Sequence, residues 1–269
     1  MKWAGRLLRT IVITVIAVVA MLYFFQEKLI FHSNEISPDY VYQFASPFEE
    51  LFLTAEDGAV LNGLHFKQRR PKGVIFYCHG NAGELDDWGN WAQELSNRYQ
   101  YDVVIWDYRG YGKSTGKRRQ NLMLDDGFLF YEYCKKQFRE EDITVFGRSL
   151  GGFFATHVTK DSNPGKLVLE STPTSLLHIA EKEYPLLPSR QLLKFRFQSD
   201  QNVPKIKIPT FFIHGTEDAL IPFEHGKQLY DLSGAKMKKF YRVDGGDHND
   251  LARFDESYFG ALDEILAGL

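Results

Sequence analysis

The chain has few cysteines, and its histidines are scattered along the sequence. Its 269 residues include two cysteines, Cys78 and Cys134, which do not form a C-x-x-C pair, and none of its eight histidines lies in an H-E-x-x-H motif. The spacings of the common zinc motifs are therefore absent, and we expect no metal site. Cys78 lies in an apolar strand and Cys134 in a predicted helix. We expect buried free thiols rather than a disulfide, and two cysteines neither require nor exclude an oxidising compartment.

The chain also lacks a large excess of charge of either sign. It has 32 basic and 35 acidic residues, which gives a formal net charge of −3. No long basic stripe occurs beyond the N-terminus, and Lys117–Arg119 is interpreted as a short solvated face, so nucleic acid is not an expected partner. The first βα unit does not open with G-x-G-x-x-G, and Gly110–Ser114 lacks the spacing of a phosphate loop. Dinucleotide binding is therefore excluded from the expected functions.

One long apolar run lies close to the N-terminus. The segment Thr10–Gln26 carries no charge, and Leu7 and Leu8 extend it to about 20 residues, which is long enough to span a bilayer. A cleaved signal peptide is the rival interpretation. Against it, no A-x-A site follows the run, and Met21–Phe25 is bulky where a peptidase needs small residues.

We therefore favour an uncleaved signal anchor, which predicts a single-pass membrane protein. The basic residues Lys2, Arg6 and Arg9 precede the run. The positive-inside rule then places the N-terminus in the cytoplasm and the rest of the chain on the extracytoplasmic side, in a periplasm or a lumen. The expected organisation is a flank and anchor over 1–26, a linker over 27–46 and one folded domain over 47–269.

The folded part alternates strands with helices after an opening hairpin. Strands are predicted over 49–54, 60–66, 74–78, 103–106, 143–146, 166–170, 209–213 and 237–243, and helices over 85–99, 122–138, 223–232 and 251–266. The later strands are apolar throughout, as expected when both faces of a sheet are covered. We expect an α/β fold with a mostly parallel sheet, helices on both faces and a short irregular insert over about 174–200.

The run Phe146–Gly152 holds a G-x-S-x-G motif between a predicted strand and a predicted helix. In that context the motif indicates a nucleophile elbow, a sharp turn that lifts the hydroxyl of Ser149 out of the sheet. Gly147 and Gly151 would let neighbouring backbone pass without a Cβ clash. Ser149 is the candidate nucleophile.

A serine nucleophile needs a base and an acid that orients the base. For this elbow the expected chain order is Ser, then Asp or Glu, then His. Asp218 follows the strand over 209–213, with Glu217 as its local competitor, and His248 follows the last strand in a glycine-rich loop. We expect Asp218 and His248 in these roles. Four other histidines are weaker candidates because of their positions relative to the strands: His157, His178, His214 and His225.

An oxyanion hole needs two backbone N–H donors directed at the developing charge. One is expected from Leu150, the residue after the nucleophile. The other is expected from the loop His79–Gly83 that follows the strand over 74–78. Asn81 is the predicted donor, with Ala82 as the next choice.

These motifs together resemble the α/β-hydrolase superfamily. The resemblance covers nearly all of residues 47–269 and rests on five segments: His79-Gly80, Asp107–Ser114, the elbow, His214–Asp218 and Asp247–Asp250. The first two most resemble a branch of small membrane-associated serine hydrolases, which includes anchored members and relatives that remove palmitoyl groups from proteins. The cytosolic relatives are held at membranes by an acylated cysteine-rich N-terminus, whereas this chain has a hydrophobic run.

The resemblance implies an esterase or thioesterase that forms an acyl-enzyme and needs no cofactor. The expected substrate is a small or lipid-like acyl compound, and the oligomeric state stays open. A peptidase or amidase with the same triad and a non-catalytic binding protein are the alternatives. We also expect the insert, with Phe195 and Phe197, to cover an acyl-binding groove and touch the bilayer, or else to pack over the sheet in an ordinary way.

Overall fold

A computed structural model describes residues 2–267, which include an eight-stranded sheet flanked by helices. In chain order the strands are β1 (Phe48–Thr54), β2 (Val60–Phe66), β3 (Val74–Cys78), β4 (Asp102–Trp106), β5 (Ile143–Arg148), β6 (Lys166–Glu170), β7 (Thr210–Gly215) and β8 (Lys238–Val243). The helices are α1 (Lys2–Ile30), α2 (Leu85–Tyr99), α3 (Gln120–Lys135), α4 (Gly151–Thr159), α5 (Leu176–Glu183), α6 (Ser189–Leu192), α7 (Ser199–Asn202) and α8 (Phe223–Leu232).

The sheet has the spatial order β8-β7-β6-β5-β3-β4-β2-β1. Strand β2 is antiparallel to both of its neighbours, and the other neighbouring pairs are parallel. Every residue of β3 and β4 is buried, because helices cover both faces of the sheet. The expected α/β class with a mostly parallel sheet is therefore confirmed.

The core has one layer on each face of the sheet. Side chains of α3, α4 and α8 form one layer, and side chains of α2 and of the C-terminal segment form the other. Both cysteines are buried and free, as expected. Burial raises the pKa of the Cys78 thiol to about 12, so this thiol stays protonated and unreactive.

The C-terminal segment is not the single regular helix expected over 251–266, and that prediction is wrong. A 3₁₀ turn over Leu251–Arg253 ends at Phe254, whose φ of −103° and ψ of 69° are not helical. Two wider π-helical turns follow, Asp255–Phe259 and Asp263–Ala267, with a short α turn between them. The backbone of Phe254 interrupts the helix, although the apolar side of the segment still covers the sheet.

Helix α1 is long and apolar enough to cross a membrane, with a mean hydropathy of 2.4 over its most apolar window. It ends at Ile30, past the expected boundary at residue 26. Its C-terminal turns contact the domain, where the side-chain amide of Gln26 donates to the Leu192 carbonyl at 3.1 Å. The next residue after the helix, Phe31, is buried in the core. The expected linker over 27–46 therefore begins inside a helix and continues along the surface of the domain.

The insert after β6 contains the short helices α5, α6 and α7 rather than an irregular stretch. Phe195 and Phe197 point into the core, and the Phe197 ring stacks on Phe153 with the centroids 5.2 Å apart. Leu186, in contrast, is 96% exposed. The two phenylalanines therefore pack as core residues, and the role of the insert as a lid stays a prediction.

Candidate active site

Ser149 lies at the turn between β5 and α4, in a strained backbone conformation. Its φ is +51°, in the left-handed region that non-glycine residues seldom adopt. Its N–H donates to the Glu170 carbonyl at 2.8 Å, which ties the turn to the end of β6. A Cβ at Gly151 would collide with the carbonyl oxygens of Cys78 and His79, so only glycine allows the turn to lie so close to the end of β3.

The structure brings the three predicted side chains together at the carboxyl edge of the sheet. The Nε2 atom of His248 lies 3.0 Å from the hydroxyl oxygen of Ser149, and its Nδ1 atom lies 2.8 Å from Oδ2 of Asp218. These contacts fit a neutral imidazole that donates to the carboxylate and accepts from the hydroxyl. The exposed fractions are 8% for Ser149 and 5% for His248, so the contacts are largely shielded from water.

The Asp218 carboxyl is held in its charged form. Burial by itself raises the pKa of this carboxyl, but the contacts with His214 and His248 and the backbone hydrogen bond from Ile221 outweigh burial and hold it well below its ordinary value. Its Oδ1 atom accepts the N–H groups of Leu220 and Ile221 at 3.0 Å and 2.7 Å. A negative charge at Asp218 is what a protonated His248 would require for stabilisation.

The predicted oxyanion donors lie on the two loops that flank Ser149. Leu150 is buried at the start of α4. Gly80, in the other loop, packs against Ser149, and a Cβ built on Gly80 would lie 3.9 Å from the Cβ of Ser149. Among the hydrogen bonds described for residues 2–267, none uses the backbone N–H of Leu150 or Asn81. Both donors are thus free to serve a ligand, and their role in an oxyanion hole stays a prediction.

Arg148 is a residue of the site that the sequence analysis missed. Its guanidinium forms a buried ion pair with Glu170 at 3.0 Å and donates to the backbone carbonyl of His248 at 3.1 Å. Tyr258 donates to the other carboxylate oxygen of Glu170 at 2.8 Å. Arg148 therefore joins the serine turn to the loop that carries His248. Its position directly before Ser149 was the only signal in the sequence.

The loops that carry Asp218 and His248 are also joined to each other. Asp247 accepts the N–H of Ala219 at 2.9 Å. The Nε2 atom of His214 lies 2.8 Å from the Ile221 carbonyl oxygen and 3.4 Å from Oδ2 of Asp218. The competitor Glu217 is exposed. The other three of the four weaker histidine candidates bind elsewhere: His157 to Asp125, and His178 and His225 to Thr174.

Metal binding has no structural support in the part of the chain that is described. Within residues 2–267, no group of three or more His, Cys, Asp or Glu side chains is arranged to hold an ion.

Comparison with known proteins places these features in a family. A family model described as serine aminopeptidase, S33, matches residues 69–178. The "Alpha/beta hydrolase domain-containing protein WAV2" of Arabidopsis thaliana is 30% identical over 268 residues, which cover 88% of this chain and 85% of that protein. The "Lysophosphatidylserine lipase ABHD12" of Danio rerio is 32% identical over 187 residues, which cover 62% of this chain and 48% of that protein.

The chain spans about half the length of ABHD12 and of the Caenorhabditis elegans protein aho-3, of which it covers 48% and 53%. Among solved structures, the esterase Pf2001 of Pyrococcus furiosus superposes with a TM-score of 0.71 at 18% identity, over 89% of this chain and 97% of that chain. That likeness shows the shared fold. The identity to WAV2 over most of both chains shows that this chain belongs to the α/β-hydrolase family, and the shared fold agrees with that assignment.

Proposed function

We propose that the protein is a serine hydrolase that cleaves carboxylic ester or thioester bonds through Ser149, His248 and Asp218. The continuous line of contacts from Asp218 through His248 to Ser149, at 2.8 Å and 3.0 Å, carries this proposal. Membership of the α/β-hydrolase family supports hydrolysis as the reaction class.

In the proposed first step, the Ser149 oxygen attacks the carbonyl carbon of the substrate and its proton passes to Nε2 of His248. Asp218 stabilises the imidazolium through Nδ1. The negative charge that develops on the carbonyl oxygen is bound by the backbone N–H groups of Leu150 and Asn81. When the tetrahedral intermediate collapses, the alcohol or thiol leaves with the proton from His248, and the acyl group remains on Ser149.

In the second step, His248 removes a proton from water, and the hydroxide equivalent attacks the acyl carbon of the ester on Ser149. The new intermediate expels the serine oxygen, which takes back its proton from His248, and the carboxylic acid is released. The residues proposed here complete both steps without a metal or cofactor.

We propose that the protein is held at a membrane by α1 and takes a small or lipid-like acyl substrate. Before Gln26, which hydrogen-bonds to the insert, α1 has 24 residues, or roughly 36 Å, which is enough to span a bilayer core of about 30 Å. Lys2, Arg6 and Arg9 favour a cytoplasmic N-terminus and an extracytoplasmic catalytic domain. Protease added outside intact cells or spheroplasts should then digest the domain, and full protection would contradict this orientation.

A peptidase or amidase with the same triad is the second candidate, because the matching family model is described as an aminopeptidase. A panel of p-nitrophenyl esters, acyl thioesters and aminoacyl anilides, assayed with the full chain in detergent, separates the two. We expect turnover of esters or thioesters, and turnover of the anilides alone would favour the peptidase.

The assignment of the acid is tested by a matched pair of neighbouring carboxylates. Asp218→Asn should lower kcat by about 10⁴-fold, whereas Glu217→Gln, at an exposed side chain, should leave kcat unchanged. The opposite pattern would reject Asp218. A wild-type protein without turnover on any acyl substrate, and with no reaction toward a fluorophosphonate, would favour a non-catalytic binding protein.

A further inference from the structure

The loop His79–Gly83, which carries the proposed oxyanion donor, is held from two sides. On the domain side, Tyr108 donates to the His79 carbonyl at 2.6 Å and the Trp88 indole donates to the Ala82 carbonyl at 2.8 Å. These contacts fix the two ends of the loop. Asn81, between them, is held by its own side chain.

The Asn81 side chain is bound to the point where α1 ends. Its Nδ2 atom donates to the carbonyl of Ile30, the last residue of the helix, at 2.6 Å. Its Oδ1 atom accepts the Tyr111 hydroxyl at 2.7 Å and the His32 N–H at 3.4 Å. One amide therefore links the end of α1 to the proposed oxyanion loop and to the loop after β4.

The residues that follow α1 are built into the same region. His32–Ser33 forms a two-residue parallel pair with Ala82–Gly83, directly after Asn81. The Phe31 ring is buried, with its centroid 4.9 Å from that of Phe195. The segment after the helix is thus an ordered extra strand against the oxyanion loop.

We propose that Asn81 is a positioning residue, and that the junction over residues 30–33 forms part of the active site by holding the Asn81 N–H toward Ser149. This proposal rests on the proposed function. It implies that the segment leaving α1 does more than attach the domain to a membrane, because the geometry of the oxyanion hole depends on it.

The alternative is that Asn81 only satisfies one of the carbonyl groups left free at the end of a helix. In that case its replacement would lower stability and leave the chemical step intact. A positioning role predicts a different result. The ground-state substrate gains little from the oxyanion donors, whereas the tetrahedral intermediate depends on them, so kcat should fall while KM stays nearly constant.

The test uses Asn81→Ala and Asn81→Asp in the full-length protein in detergent. Alanine removes all three side-chain contacts and keeps the backbone N–H, whereas aspartate can still accept from Tyr111 and His32 but cannot donate to Ile30. Asn97→Ala is the matched control, because Asn97 is exposed and its amide donates to Ser46 instead. We expect kcat on a p-nitrophenyl ester to fall roughly 10- to 100-fold in both Asn81 variants, with KM changed less than about threefold, and to stay unchanged in the control.

A second readout separates positioning from folding. A trifluoromethyl ketone forms a tetrahedral adduct with a nucleophilic serine, so its affinity should fall by the same factor as kcat/KM in each Asn81 variant. Wild-type kcat and inhibitor affinity in Asn81→Asp would overturn the proposal, and so would an equal fall in Asn97→Ala. If the wild type turns over esters and Ser149→Ala does not, either of those results rejects the positioning role while the proposed function stands.

Discussion

The buried ion pair beside Ser149 gives a quantitative prediction. Arg148 has 18% of its side chain exposed and Glu170 has 2%, so the two charges face each other with little water between them. Replacing Arg148 by methionine leaves the Glu170 carboxylate buried with the Tyr258 hydroxyl as its remaining side-chain donor. Loss of one partner of a buried pair costs about 3–5 kcal/mol in the free energy of unfolding.

For a domain of this size, that cost lowers Tm by roughly 6 to 20 °C. The double variant Arg148→Met/Glu170→Gln should recover most of the loss, because glutamine carries no charge and still accepts from Tyr258. Both variants should show kcat at least about tenfold below wild type, because the His248 carbonyl loses its donor and the imidazole is less well placed.

Thermal unfolding followed by circular dichroism, together with ester turnover, measures both effects. Arg139→Met is the matched control. The Arg139 side chain pairs with Glu141 and Asp142 but is 74% exposed, so its removal should not shift Tm. An Arg148→Met variant that unfolds at the wild-type temperature would show that the ion pair does not stabilise the fold. A double variant less stable than the single one would contradict the cost assigned to the unpaired Glu170 carboxylate.

Three further predictions concern packing and pH. Gly151→Ala should lower kcat about 100-fold, because its Cβ would push the serine turn away from the Cys78 carbonyl, and wild-type kcat would contradict this. Phe197→Ala should lower the free energy of unfolding, measured by urea titration, by about 3–5 kcal/mol because the ring is fully buried. A loss below about 1 kcal/mol would show that Phe197 is not a core residue. Burial, and after it the neighbouring basic side chains, lower the pKa of His225 from 6.5 to about 4. In this range the unfolded chain binds a proton that the folded chain does not, so stability should fall as the pH drops from about 6.5 to about 4. His225→Gln, which can still accept from Thr174, should flatten that pH dependence, and an unchanged slope would reject the assignment.

The parts of the site that the sequence predicted all follow the ends of strands. Ser149, Asp218 and His248 come just after β5, β7 and β8, and parallel strands bring their carboxyl ends to one edge. Local pattern and chain order were therefore enough to choose these residues. Their separation of up to 99 positions along the chain did not matter, because the sheet supplies the proximity.

The contacts that the sequence did not reveal depend on which loops lie side by side. Arg148 reaches a carbonyl 100 residues away, and Asn81 binds the end of a helix 51 residues before it. Neither residue type has a pattern that specifies such a partner. For a similar reason the sequence left two roles open for Phe195 and Phe197, cover of a groove or ordinary packing. An apolar pair in an insert has the same sequence whether it lines a cleft or fills the core.

The C-terminal helix shows a limit of periodicity. The apolar positions over 251–266 fit a helical spacing, but the spacing does not distinguish an α turn from a wider π turn. The interruption falls at Phe254, whose backbone is not helical and whose ring lies close to Gly245 in the loop after β8.

The most direct test of the account is to trap the acyl-enzyme. The full-length protein is mixed with a p-nitrophenyl ester, quenched in acid within the first turnovers, digested and examined by mass spectrometry. Covalent catalysis by Ser149 predicts one acyl group on the peptide that contains Ser149, and none in Ser149→Ala. An acyl group on another residue in the wild type, or ester turnover by Ser149→Ala at the wild-type rate, would contradict it.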